Sequence, residues 1–341
     1  MLTPEENTGF TPRDLKWGII VGFAATTQVF EPMKDTKINA IAHYFHANIQ
    51  RIKSMLVTPT LIGDLTMDIQ RCYDFAELQL TKTLTDPLVR DFSIANPEIA
   101  VLANSIFHKN NSEMDEAEKQ GGDLWNKFIL DSLNRGTAPV IILQGTGSGV
   151  GLDAMLSAAI TGTWTAYETM AGDLWETALN IHPNTLAELR GKKKRHQNIS
   201  PDEDDDDKEN KKSVLLSEIL RFQFDLRNNM GSVHRRQRLF DRLSGIREAY
   251  AQAFSKDYAD IDKALAAQGI DALNAVRNLI VHRTGIVDDN YERKCKYLPV
   301  PKAELGEPLL LDGEITRDLM IPVIVAAFDL LRAVDKWIAA N

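Results

Sequence analysis

A chain of 341 residues with 44% hydrophobic and 26% charged side chains has the composition of a soluble globular protein, long enough for two separate cores. Its formal net charge of -9 excludes a surface coated throughout for nucleic acid, but not a local basic cleft, because electrostatics act through patches. The two cysteines, Cys72 and Cys295, lie far apart and make neither a metal-ligand spacing nor a disulfide framework, which predicts a reducing, cytoplasmic setting.

The N-terminal apolar piece, Trp17 to Phe23, is far shorter than the ~18 apolar residues a membrane span requires. Acidic Glu5 and Glu6 precede it where a secretory signal would be basic. Residues 13 to about 135 read as mainly helical. Ile38, Ile41, Ala42, Phe45, Ile49 and Ile52 recur at the three- and four-residue spacing of one buried helical face. A second helix is expected to hold Leu65, Ile69, Cys72, Tyr73, Ala76 and Leu80, with Thr58-Pro59 and Asp86-Pro87 as punctuation. His43 and His46 share a helical face, but no acidic or thiol partner stands at a zinc-like spacing. They read as a surface or interface pair and not as a metal site.

Pro139 to Leu143 is the best isolated strand candidate, and it leads into the glycine-rich run Gly145 to Gly151. That run lacks the Gly-Lys-Ser/Thr of a phosphate loop, and no strand-helix alternation surrounds it. A hinge at 145–151, separating an N-terminal domain at 1–144 from a C-terminal domain at 152–341, is the preferred reading. Nucleotide binding there is the weaker one.

Beyond the hinge the pattern is helical. Asp153 is placed to cap a long helix through Trp164, Tyr167, Glu168, Leu174 and Trp175 to about Asn180. Residues 191–213 are of low complexity, with Lys192 to Arg195 followed by the acidic run Asp202 to Asp207, and read as a disordered insertion. Basic residues cluster again around Gly231, at Arg227, His234, Arg235, Arg236 and Arg238; a wall that tracks RNA and a plain solvated loop both fit. Leu239, Leu243, Ile246, Tyr250 and Phe254 form an apolar stripe. Two helices over roughly 259–267 and 270–283 are expected to part at Gly269. A loop at about 286–314 and a last helix from Thr316 to Ala340 complete an all-α bundle of four or five helices.

The chemistry-bearing feature is Arg277-Asn278-Leu279-Ile280-Val281-His282, followed by Arg283-Thr284-Gly285. On a wheel, Leu273, Val276 and Ile280 cluster toward the bundle. Asn274, Arg277, Asn278, Val281 and His282 fall on the opposite side, with Asn278 and His282 on one stripe. Arg277 and His282 differ by roughly 140° at about 100° per residue, so they share a groove only because His282 lies in the last turn. Gly285 suits the C-terminal cap. A fixed cation, an amide and an imidazole able to titrate near neutrality suit phosphodiester chemistry. An Arg and a His on a helix end can equally be a solvated polar face.

The segment Val276 to Gly285, with Arg277, Asn278 and His282 at the signature positions, resembles the motif of the HEPN superfamily. The long helix around Trp164 to Glu176 is similar to the first long helix of those proteins. The resemblance covers about 151–341; the charged insertion at 191–213 is not part of the family core. It implies a HEPN-like helical domain that dimerises through the motif helix, with RNA as substrate and no cofactor or metal. Its activity would be metal-independent endoribonuclease cleavage, in a toxin or anti-phage effector with an antitoxin or regulatory partner. Arg277, Asn278 and His282 would be catalytic, with Glu168, Arg235, Arg236, Arg238 and Arg283 as substrate-binding candidates. The alternative is a catalytically silent module for dimerisation, RNA binding or partner binding.

Overall fold

The computed structural model of the chain describes residues 17–26, 30–84, 96–120, 122, 127, 149–186, 216–236, 240–254 and 258–341. The chain is all-α, as the periodicity predicts. Its helices are α1 (Trp17–Ala25), α2 (Thr36–Thr81), α3 (Pro97–Gln120), α4 (Gly149–Ile181), α5 (Pro183–Leu186) and α6 (Leu216–Leu220). They continue with α7 (Met230–Arg235), α8 (Leu243–Ala253), α9 (Ala259–Leu265), α10 (Gln268–Arg283), α11 (Asp289–Cys295) and α12 (Gly313–Ala340). Extended pairing among the described residues is limited to an antiparallel bridge between Ile286 and Pro308. None of the described helices is long and apolar enough to cross a membrane.

The chain forms two compact units that interleave in sequence. The first takes its residues from 1–27, 53–156 and 311–317; the second from 28–52, 157–310 and 318–341. The sequence boundary at 145–151 falls close to the step at 156, but residues 28–52 join the second unit.

In the first unit, α1 buries Trp17, Ile20 and Val21, and the Trp17 indole N–H donates to the Thr60 hydroxyl at 3.3 Å. Lys53 is fully buried; its ammonium donates to the Thr26 carbonyl and sits 4.7 Å from the centre of the Phe23 ring. Burial lowers its pKa. Further along α2, Cys72 and Ala76 meet Ile99 and Ala103 of α3, with Tyr73, Leu102, Ile106 and Phe107 packed around them.

The second unit is organised by the aromatic face of α4. Trp164, Tyr167 and Trp175 are fully buried. The Trp175 indole donates to the Ala249 carbonyl of α8 at 3.0 Å, and the Tyr250 hydroxyl of α8 donates back to the Ala171 carbonyl of α4 at 2.7 Å. Tyr250 stacks on Phe254 at 5.7 Å, Phe254 meets Trp337 of α12 edge-on at 5.2 Å, and Trp337 meets His182 at 5.6 Å. Each buried aromatic contributes roughly 1.5–3 kcal/mol of transfer free energy, and each well-oriented ring pair about 0.5–1.5 kcal/mol more. The N-terminal part of α2 joins this core through Phe45, which packs edge-on against Phe328 at 5.5 Å. The buried carboxylate of Asp335 accepts from the Lys34 and Asp35 amides at 2.9 and 2.8 Å. Asp35 in turn caps α2, accepting from Ile38 N–H at 3.1 Å.

Several local expectations are corrected. Thr58-Pro59 does not divide the N-terminal helices; Pro59 lies inside the continuous α2. An interior proline costs about 3 kcal/mol, but its neighbours Leu56 and Thr60 are fully buried, and that packing holds the backbone helical across it. Asp153 lies within the first turns of α4, which begins at Gly149, and so is not its cap. Gly269 does not end a helix either. It sits in the first turn of α10, where a Cβ would lie 2.3 Å from the Pro322 Cβ of α12. The glycine is there to let two helices touch, and the break falls at Ala266 and Ala267 instead. The loop expected at 286–314 contains α11, capped by the Asp288 carboxylate accepting from Tyr291 N–H at 2.8 Å. The strand candidate at 139–143, the insertion at 191–213 and the start of the glycine-rich run, Gly145 to Ser148, lie outside the described residues.

Gly269→Ala should lower stability by about 1–3 kcal/mol through overpacking against Pro322, read as a lower urea midpoint at unchanged slope. An unchanged midpoint would show that this crossing carries no strain.

Candidate active site

Helix α10 carries the motif and is fixed at both ends. At its start, Arg247 of α8 grips Asp271 through two parallel bonds of 2.9 and 2.8 Å. The same guanidinium donates to the Leu265 carbonyl at the end of α9, at 3.0 and 2.8 Å. One planar, permanently charged fork thus ties α8, α9 and α10 together. At its end, Thr284 adopts the left-handed conformation at φ 52, and Gly285 follows at φ 83. The Thr284 amide donates back to the Leu279 carbonyl, the six-to-one bond of a helix-stopping motif. The Gly285 amide donates to the same carbonyl at 3.1 Å. The cap is therefore shared by Thr284 and Gly285. The Leu309 amide then donates to the Gly285 carbonyl at 2.8 Å, holding the following segment against the helix end.

The face of α10 turned to the core holds Ile270, Ala272, Leu273, Val276 and Leu279. Leu279 is buried, while Ile280 is only partly covered. The wheel is thus rotated by about one position from the sequence expectation, with Leu279 taking the place given to Ile280. This rotation brings Arg277 and Asn278 into half-buried positions, not onto an open surface. Arg277 Nη1 donates to the Asn278 side-chain carbonyl at 2.9 Å, and Asn278 Nδ2 donates to Asn274 Oδ1 at 3.2 Å. Arg277 Nε is buried and finds no acceptor among the described residues. Asn278 therefore orients Arg277. Asn274 is the positioning residue to which sequence reasoning gave no role; its signal was the i,i+4 spacing to Asn278. His282 is exposed in the last turn and carries no hydrogen bond among the described residues. Arg283, also exposed, donates to Asp288 at 3.1 Å, so part of its charge is met within the chain.

Glu168 lies on α4, half-buried. Burial raises its carboxyl pKa, while the positive charges of Arg277 and Arg235 act to lower it. The structure therefore brings Glu168, Arg277 and Arg235 into one electrostatic neighbourhood, although they lie on three different helices. Arg235, at the end of α7, sits 3.8 Å over the Phe240 ring. Its guanidinium lies against Gly172 of α4, where a Cβ would come within 1.9 Å of it. Burial lowers the Arg235 pKa, offset by Asp173 and Glu176. Arg236 is exposed, Arg227 is held by Asp225 at 3.1 Å, and Arg238 lies outside the described residues, as do Lys192 to Arg195. The basic run around Gly231 thus divides: Arg235 is locked onto α4 beside Glu168, and Arg227 is neutralised in its own turn.

Both cysteines are buried and free. Burial pushes the Cys295 thiol up to about 11, and it raises Cys72 as well, which suits packing more than nucleophilic chemistry. His43 and His46 flank the Phe30 ring at 5.1 and 5.4 Å. The chain matches no family model, no curated protein and no solved structure.

Two outcomes test this geometry. Arg247→Met should cost about 1.5–3 kcal/mol in urea unfolding, and a double-mutant cycle with Asp271→Asn should show strong coupling. Additive effects would mean that the fork does not hold α10. Glu168 has a raised folded-state pKa, so its neutral form is the one folding favours. Its penalty is absent below the ordinary glutamate range and present once the pH exceeds the folded value. Glu168→Gln should therefore be more stable than the wild-type chain at pH 7, with the gain vanishing below about pH 4. A gain independent of pH would disprove the assignment.

Proposed function

We propose that the second unit is a metal-independent endoribonuclease of HEPN type. The observation that carries this reading is the division of labour on one helix end. Arg277 is pinned through Asn278 and Asn274, while His282 in the last turn stays exposed and, among the described residues, unbonded. A preorganised cation and, five residues on, a free imidazole supply the two kinds of group that cleavage by an internal nucleophile requires. The RNA 2′-hydroxyl gives up its proton to a base as its oxygen attacks the adjacent phosphorus. The P–O5′ bond breaks, the departing O5′ takes a proton, and the products are a 2′,3′-cyclic phosphate and a 5′-hydroxyl. His282 serves in one of these two proton transfers. Arg277 stabilises the charge that builds on the non-bridging oxygens. Glu168 and Arg235 set the field around Arg277, and Arg236 and Arg283 are candidates for phosphate contacts outside it.

Exposed Val281 and Ile286 flank His282 and offer an apolar rim around it. They suit a second copy, which would bring a second Arg277 and His282 to a shared cleft. The same rim favours the second reading, a silent module that uses this helix end for dimerisation or partner binding. A toxin or defence role, with a regulatory partner that covers the site, belongs to the first reading.

His282→Ala and Arg277→Ala should each reduce cleavage of single-stranded RNA by about 10²–10⁴-fold, with the circular dichroism spectrum and elution volume unchanged. Wild-type cleavage should persist in excess EDTA and leave cyclic phosphate ends. Equal cleavage by wild type and His282→Ala at matched purity would sink the enzyme reading. Absence of wild-type cleavage, with an oligomer lost on Val281→Glu, would establish the silent module.

A further inference from the structure

Trp164, Glu168, Gly172 and Glu176 follow one another on α4 at four-residue steps and so form one stripe of the helix. Two of the four positions are spent. The Glu176 carboxylate accepts from the Ser232 hydroxyl, and the Arg235 guanidinium fills the space that a Cβ at Gly172 would take. The other two are not. Trp164 is fully buried, and its Nε1 finds no acceptor among the described residues. Its N–H lies near enough to act on the half-buried Glu168 carboxylate, but without the alignment of a hydrogen bond. Arg277 of α10 is the charge that acts most strongly on the same carboxylate, yet its Nε is also buried without an acceptor. Arg235 and Asp241, the other charges that act on Glu168, oppose each other. Two unspent donors on different helices therefore border one carboxylate.

A buried N–H without an acceptor costs more than the rotation of one side chain. Because both nitrogens are buried, a phosphate arriving from solvent reaches neither of them. Their acceptor has to come from within the chain, and Glu168 is the carboxylate beside both. Arg277 Nη1 is already spent on Asn278 at 2.9 Å. With Nε taken as well, the guanidinium is fixed on two sides, and its remaining Nη hydrogens are left to meet a phosphate. In the free chain the carboxylate makes neither bond. A phosphate on the outer side of Arg277 brings a like charge that drives the carboxylate inward, toward the two donors. We propose that Glu168 is a positioning residue: when RNA occupies the site, its carboxylate turns inward, accepts from Arg277 Nε and Trp164 Nε1, and locks the guanidinium against the phosphate. In this role Glu168 neither touches RNA nor carries a proton of the reaction. The inference rests on the ribonuclease reading, in which Arg277 meets an RNA phosphate.

The test uses the full chain, labelled with nitrogen-15, and a short single-stranded RNA whose 2′-hydroxyls are methylated, so that it binds but cannot be cleaved. Of the five indole N–H signals, the one missing in Trp164→Phe should move downfield when this RNA is added to the wild-type chain. The same signal should stay in place in Glu168→Leu. On cleavable RNA, Glu168→Leu should lower kcat about tenfold with KM changed by less than about twofold, because it acts through Arg277. Glu168→Gln keeps a carbonyl acceptor and should recover most of that loss. Unchanged circular dichroism would show that the variants fold. A Trp164 signal that does not move on binding overturns the inference. So does Glu168→Gln as inactive as Glu168→Leu, which would make Glu168 a proton carrier, or Glu168→Leu as active as the wild type. Wild-type binding without cleavage removes the ribonuclease reading alone, and the Trp164 signal then decides the inference. No RNA binding at all overturns both.

Discussion

The second unit depends on burying the aromatic face of α4. Trp164, Tyr167 and Trp175 are buried along it; α8 is bonded to it through Trp175 and Tyr250, and Trp337 of α12 closes on Phe254 and on His182 just past the end of α4. Each of Trp164, Tyr167, Trp175 and Tyr250 carries a polar end, and a buried donor without an acceptor costs about 1–3 kcal/mol; Trp164 Nε1 and Tyr167 OH find no acceptor among the described residues. Trp175 and Tyr250 resolve this by reciprocal donation, each to a carbonyl in the other's helix. These bonds allow little sliding or rotation of α8 against α4. The orientation of α8 then decides where Arg247 points, and Arg247 decides where α10 begins. The motif is thereby placed by packing several helices away from it.

That chain of constraints explains why the candidate site is half-buried. Arg277 does not lie on the free side of an isolated helix; it lies where α10 faces the Glu168 carboxylate of α4. A guanidinium there loses part of its hydration and regains it through Asn278 and the negative charge of Glu168. Arg235 reaches the same region from α7, held by the Phe240 ring and by the absence of a side chain at Gly172. His282 escapes these ties because the helix is already ending, with Thr284 and Gly285 reversing the chain behind it. Fixed charge and free imidazole are thus separated by five residues, about one and a half turns of helix, and the cause is local: the first lies inside the packed region and the second beyond it.

The first unit follows a different logic. Cys72 and Ala76 of α2 are closed against Ile99 and Ala103 of α3, whereas Leu61, Leu65 and Ile69, earlier on α2, stay exposed. The fully buried Lys53, held by the Thr26 carbonyl and the Phe23 ring, shows how tightly the other end of the unit is packed. Tight packing at one end and bare leucine and isoleucine in the middle belong to the same helix.

Much of the architecture was legible in the chain because amphipathic periodicity is a local property. The stripes of Ile38 to Ile52 and Leu243 to Phe254, and the long helix through Trp164 and Trp175, depend on residue order alone. So does the ending of α10 beside Gly285. The breaks were less legible. Pro59 and Gly269 read as punctuation, yet both lie inside helices, because tertiary contact outweighs local propensity where a side chain is buried or a close crossing requires glycine. The sequence by itself determined the helical class and the presence of an arginine, an amide and a histidine on one helix. Only the tertiary structure decided that Leu279 would turn inward, that Asn278 would serve Arg277, and that Glu168 and Arg235 would share the site. Those outcomes depend on contacts between residues far apart in the chain, and no periodicity records which helix a given face will meet.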